Sequence, residues 1–168
     1  QVERLVGIGI EKVAFGSQLL RNFDVIEAAV SVVGSQSLVG ILNVSGSVGS
    51  DDLSLVDTLT SNVVDLDFYT MLERCAQAGL GELMLHSTDR DGLMCGYDKA
   101  TLKVLADNSS SAISILGGAS SFEDLREAIG IAACVGVAAS SIFVLKGKLR
   151  AVLIQYPNPK QILDICGV

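Results

Sequence analysis

The chain has no tryptophan, two prolines and a single histidine, His86, in 168 residues, and only 18% of those residues are charged. Scarce charge, 49% hydrophobic content and a mean hydropathy of +0.50 argue against disorder and for one domain with a sizeable core. Positive charge is the scarcer sign. Twelve Lys and Arg stand against nineteen Asp and Glu, for a net charge of −7. Non-specific nucleic-acid binding needs a basic face, and this chain has none to offer. No basic amphipathic segment suggests a membrane surface. The four cysteines, Cys75, Cys95, Cys134 and Cys166, lack CxxC spacing. They read as buried, reduced thiols of a cytoplasmic protein, with no metal site and no cofactor expected. No signal peptide is visible. An uncharged stretch from Ile129 to Leu145 is short for a membrane span, is broken by Gly130, Gly136, Ser140 and Ser141, and lacks an aromatic belt. It reads as a helix end followed by a fully buried parallel strand.

What the chain does have is alternation. Strand signals at 12–15, 37–44, 83–86, 111–116 and 134–139 are separated by helix signals at 22–33, 65–78, 98–106 and from Ser120 to near Gly130. Phe23, Ile26, Val30 and Val33 share one helix face, and Phe68, Met71, Leu72 and Cys75 share another. Asp98 is placed as an N-cap, and Ser120-Ser121-Phe122-Glu123 as a capping box. Ser45–Asp52, rich in Gly, Ser and Asp, reads as a mobile loop or small excursion. Five short apolar strands, each but the last clearly followed by a helix, give a parallel α/β architecture, either a barrel or an open doubly wound sheet. The chain opens on Gln1 inside what reads as a helix end, so further residues are expected upstream.

The strand ends carry the small and polar residues. Residues 81–98, GELMLHSTDRDGLMCGYD, are the most informative segment, a strand delivering a polar, glycine-bearing loop to one end of the sheet. Asp91 could orient a substrate hydroxyl or transfer a proton, or Asp89 and Asp91 could be a solvated loop pairing with Arg90. His86 lines the site or is a satisfied core or rim residue. Gly92, Gly118, Ser140 and Ser141 could converge on one phosphate, because glycines admit a close backbone approach to an anion. Gly117-Gly118 could equally be a tight turn. Asn43 ends its strand and can hydrogen-bond a ligand, but its amide does not titrate. Lys12 and Glu82 begin their strands at the opposite face, where charges are commonly solvated.

The segments KVAFGSQ (12–18), VGSQSLVGIL (33–42), GELMLHSTDRDGLMCGYD (81–98), ILGGASSFEDLREA (115–128) and VAASSIFV (137–144) resemble, in order, the cyclase subunit of imidazole glycerol phosphate synthase. The resemblance spans nearly the whole chain, and the DRDG…GYD stretch is highly specific. It implies a (β/α)8 TIM barrel of ribulose-phosphate-binding type, with about five of eight strands present in a single domain, 1–168, forming the C-terminal portion. It implies an ammonia-accepting barrel that works with a glutaminase subunit and binds a substrate carrying two phosphates. Asp91, Gly92, Gly118, Ser140 and Ser141 would form one phosphate site. Gly16 and Ser17 align with part of the second, where the family usually has an Asn-Thr or Asn-Ser pair. Lys12 and Glu82 align with a charged gate at the ammonia entrance.

Two departures matter. The family's catalytic aspartates lie on strands one and five. The first falls outside this chain, and the second aligns with Asn43. A cyclase with neither could bind phosphate but should scarcely close a ring. The tail VLKGKLRAVLIQYP (144–157) is unlike the histidine-pathway ending, which carries another amphipathic helix. It looks like the branch that places acetamidino groups on nucleotide-linked surface sugars. The histidine-pathway cyclase and a non-catalytic barrel fragment or scaffold are the alternatives.

Overall fold

A computed structural model describes residues 1–50, 52–131, 136–147 and 149–167. After α1 (Val2–Gly7), strand β1 (Val13–Phe15) leads through α2 (Gln18–Arg21) and α3 (Asp24–Val33) to β2 (Leu38–Ser45). A hairpin follows, β3 (Ser54–Asp57) and β4 (Asn62–Val64), and then α4 (Phe68–Ala78). The pairs β5 (Glu82–Ser87) with α5 (Lys99–Asp107), and β6 (Ala112–Leu116) with α6 (Phe122–Ile131), continue the alternation. The described chain closes with β7 (Gly136–Ala138), α7 (Ser141–Val144), a two-stranded ribbon of β8 (Leu145–Lys146) and β9 (Ala151–Val152), and α8 (Pro159–Cys166).

The parallel strands pair in chain order, β1 with β2, β2 with β5, β5 with β6 and β6 with β7. A doubly wound sheet reverses direction at a switch point. This sheet does not, so its order is that of a barrel, here an arc of five parallel strands whose edges among the described residues are β1 and β7. The α/β class and the parallel barrel order are as the sequence implies. Among the described residues, no helix is long and apolar enough to cross a membrane.

Period-two alternation separates the two faces of the sheet. In β5, Leu83, Leu85 and Ser87 are buried, while Glu82, Met84 and His86 on the other face are only partly so. The buried face belongs to one cluster with Ile26 of α3, Met71 and Cys75 of α4, Leu102 and Leu105 of α5 and Leu125 of α6. Each Leu or Ile so buried contributes about 1.5–3 kcal/mol relative to exposure. Helix ends follow local chemistry. Asp67 accepts from Thr70 N at 2.9 Å, and Gly79 stops α4 in the left-handed conformation. Asp98 caps α5 through Thr101 N, as expected from sequence.

Several expectations need correction. The hairpin β3–β4 was not anticipated. Its strands are four and three residues long, and its turn rests on Asp57, whose carboxylate accepts Leu59 N at 3.0 Å and Thr60 Oγ1 at 3.2 Å. The loop after β2 is tied down. Ser47 Oγ donates to Asp98 Oδ1 at 2.7 Å, Val48 N to Thr101 Oγ1 at 2.9 Å, and Gly46 N to Asp89 Oδ2 at 3.2 Å. The capping box of α6 is shifted by one residue. Ser121 Oγ accepts Asp124 N, and Asp124 Oδ2 accepts Ser121 N, both at 3.2 Å, while Glu123 pairs with Arg126. Strand β7 is half-buried rather than fully buried, because it has one neighbouring strand, β6, among the described residues. Within 144–157 the tail forms the β8–β9 ribbon, and an amphipathic helix, α8, opened by a capping box of Asn158 and Gln161, follows it. Of the thiols, Cys75 is buried but Cys95 and Cys166 are exposed. Cys134 in the last strand and Lys148 in the 144–157 tail lie outside the described residues.

Candidate functional site

Strand register decides which residues meet. Asn43 pairs with His86 and Val39 with Glu82 across β2 and β5, and Glu82 pairs with Ala112 across β5 and β6. Lys12, Glu82 and Ser114 therefore gather near the N-terminal strand ends, and Asn43 and His86 near the C-terminal ends, on the face away from the helices.

At the N-terminal end, Lys12 Nζ donates to Glu82 Oε2 at 2.5 Å, and Ser114 Oγ donates to Glu82 Oε1 at 2.7 Å. Burial pushes the Glu82 carboxyl up, but the hydrogen bonds from Lys12 and Ser114 and the Lys12 charge outweigh it, leaving it below its ordinary value. The two charges expected to be solvated on spacing alone are thus a bridged pair. Ser114 was missed, although a hydroxyl inside the apolar run Ala112–Leu116 was its signal.

At the C-terminal end, three strand-end loops form one recess. Asp91 and Gly92 come from the loop after β5, Gly117 and Gly118 from the loop after β6, and Ser140 and Ser141 from the end of β7, with Met94, Leu116, Ala119, Ala138 and Ala139 completing the lining. The loops are stitched together: Gly96 N donates to Gly118 O at 2.7 Å and Tyr97 Oη to Ala138 O at 2.8 Å. Gly118 holds φ +100°, and a Cβ there would stand 2.3 Å from Gly96 O. Gly117 holds φ +95°, with Ser87 O 2.5 Å from such a Cβ. Only glycine fits this close approach of two backbones.

The Asp89-Arg90-Asp91 segment forms no Asp–Arg ion pair among the described residues. Asp89 accepts from Gly46 N, Arg90 Nη1 donates to Gly96 O at 3.4 Å, and Asp91 turns toward His86, with its Oδ2 3.7 Å from His86 Nε2. On its other side, His86 Nδ1 lies 2.8 Å from Asn43 Oδ1. Asn43 is 4% exposed, and its Nδ2 would be 3.4 Å from a Cβ on Gly16.

Gly16 and Ser17 do not join the Gly118 recess; Gly16 lies beside Asn43. Ser17 Oγ is 3.1 Å from Thr58 Oγ1 at the hairpin turn. There Asp57, whose carboxylate also accepts from Arg21 Nε at 2.7 Å, is held down to about 2. The Ser17 hydrogen bond is the main cause, opposed by burial and aided by Arg21 and Leu59 N. Asp57, Thr58 and Arg21 were not picked out from the sequence, because the hairpin that brings them to Ser17 was not read.

Comparison with known proteins agrees with the barrel order of the strands. The family model described as "Histidine biosynthesis protein" matches residues 1–150. A protein from Leptospira interrogans, provisionally named imidazole glycerol phosphate synthase subunit HisF, is 34% identical over 94% of this chain and 62% of its own length. Provisionally named subunits hisF3 of Vibrio vulnificus and hisF2 of Pseudomonas aeruginosa are each 34% identical, over 96% and 97% of this chain and 62% and 64% of their own lengths. The chain thus spans about three fifths of these relatives. On the match of the family model over residues 1–150, the chain belongs to the histidine biosynthesis protein family.

Proposed function

We propose that this chain is the phosphate-binding, ammonia-accepting barrel portion of a glutamine-dependent synthase related to imidazole glycerol phosphate synthase, and that the synthase amidinates a nucleotide-linked surface sugar. The observation that carries the phosphate reading is the convergence of Asp91, Gly92, Gly118, Ser140 and Ser141 on one recess. Backbone at the positive-φ glycines that line the recess, with two serine hydroxyls, supplies hydrogen bonds to an anion without steric cost. Gly16 and Ser17, beside Asn43, take the second phosphate of the substrate.

The Lys12–Glu82 pair with Ser114 supports an ammonia entrance at the far end of the strands, where a glutaminase subunit docks. A charged pair that can open admits a small polar molecule past otherwise apolar strand interiors. In this reading Lys12 and Glu82 form the gate and Asp91 is the proton-transfer group.

Asn43 favours the sugar-modifying role over ring closure in the histidine pathway. An amide at that strand end can hold a substrate but cannot exchange a proton with it. The numbered names hisF2 and hisF3 among the relatives fit organisms that keep more than one such subunit. A full-length protein with its glutaminase, glutamine and a nucleotide sugar should yield an amidinated product. No product under those conditions refutes the proposal. Complementation of a histidine auxotroph is expected to fail, and growth would instead favour the histidine-pathway cyclase.

A further inference from the structure

We infer that His86 is a positioning residue that shares one proton with Asp91 and so makes Asp91 the proton-transfer group of the site. The inference rests on the reading above only for what binds beside it; the placement of the three side chains stands on its own geometry.

The chain runs Asn43–His86–Asp91. His86 Nδ1 is 2.8 Å from Asn43 Oδ1. An amide oxygen can only accept, so Nδ1 carries the hydrogen, and in the neutral ring Nε2 is a bare lone pair. Nε2 is buried and has no hydrogen-bond partner among the described residues, while Asp91 Oδ2 lies 3.7 Å away. A lone pair facing a carboxylate is repulsive. One proton between them removes the repulsion, whether it rests on Nε2 as imidazolium or on Oδ2 as a carboxylic acid.

Exposure divides the roles. The Asp91 side chain is 51% exposed beside the glycine-lined recess, whereas that of His86 is 17% exposed beneath it. Asp91 therefore meets a bound substrate and His86 acts through it. Holding one proton, the pair can give it from Asp91 to the substrate, which leaves a neutral ring beside a bare carboxylate. When Asp91 takes a proton back, the pair again holds one and nothing is consumed. Asn43 matters because it is uncharged. A carboxylate in its place would compete with Asp91 for the imidazolium; the amide fixes the ring without competing.

The single histidine allows a direct test. In full chain labelled with ¹⁵N-histidine, NMR should show one set of ring signals, with hydrogen on Nδ1 in the neutral form. Asn43→Leu removes the acceptor and should move the tautomer ratio toward Nε2–H roughly fivefold, the worth of one hydrogen bond. Asp91→Asn should shift the Nε2 signal while leaving the hydrogen on Nδ1. Because Asp91 is half-exposed, that variant keeps the test open if Asn43→Leu does not fold. A neutral wild-type ring with its hydrogen on Nε2, or an Nε2 signal indifferent to Asp91→Asn, overturns the inference. Inorganic phosphate added to a uniformly ¹⁵N-labelled sample separates the two readings: if the Gly118 and Ser140 amides ignore it while the histidine pattern holds, the cradle fails and the proton relay stands.

Discussion

Replacing Gly118 by alanine should be the costliest small change in the candidate site, and its cost can be assembled from the structure. The residue holds φ +100°, a conformation that costs an L-residue about 1–2 kcal/mol. The new Cβ would stand 2.3 Å from Gly96 O and 3.1 Å from Arg90 Cβ, so one loop must withdraw. Withdrawal strains the 2.7 Å bond from Gly96 N to Gly118 O, worth about 1 kcal/mol. The sum is about 2–3 kcal/mol before any repacking. Gly92→Ala is the internal control. Its φ is +74°, but nothing lies within 4 Å of a Cβ there, so only the conformational cost of about 1 kcal/mol applies. Urea unfolding of the two variants beside wild type gives both values from midpoint shifts at constant slope. If Gly118→Ala costs no more than Gly92→Ala, the claim that backbone contact dictates glycine at position 118 is wrong.

Other perturbations test the fold and its charges. Asp57 is depressed from its ordinary 3.8 to about 2, so its network contributes stability above about pH 4 and loses that contribution as pH falls toward 2. The stability gap between wild type and Asp57→Asn, followed by acid unfolding, should narrow across that window; a gap independent of pH would refute it. Leu105→Ala empties a fully buried position and should cost about 2–5 kcal/mol in thermal or urea melts, whereas exposed Leu149→Ala should change little. Burial pushes the Cys75 thiol up to about 12, slightly offset by Arg74, so it should resist a thiol reagent at pH 8 in folded protein. Exposed Cys95 and Cys166 should react promptly, and prompt labelling of Cys75 would contradict the packing of α4.

Much of the fold was legible because it rests on local rules. Period-two and period-3.6 patterns marked the parallel strands and the long helices, and Asp98 and Gly79 marked ends whose chemistry lies within a few residues. The misses share a cause. Hairpin β3–β4 is too short to show a period, and its Asp57 turn is held by Ser17 and Arg21, about forty residues away. The α6 cap was misplaced by one residue because Ser120 and Ser121 present the same pattern, and only the reach of Asp124 selects between them.

The sequence alone determined the parallel α/β class, the glycine-rich strand ends and the family resemblance, since each is written in neighbouring residues. It also showed that Asn43 stands where the resemblance places a carboxylate. Only the tertiary structure decided that the strands follow barrel order, because strand neighbours are chosen by hydrogen bonds between distant segments. Only it brought Lys12 to Glu82 and gathered Gly92, Gly118 and Ser140 into one recess. Above all, strand register set Asn43 beside His86, and the loop after β5 carried Asp91 to the ring's other side. A proton can be shared only across a few ångströms, and that proximity is a property of packing rather than of spacing along the chain.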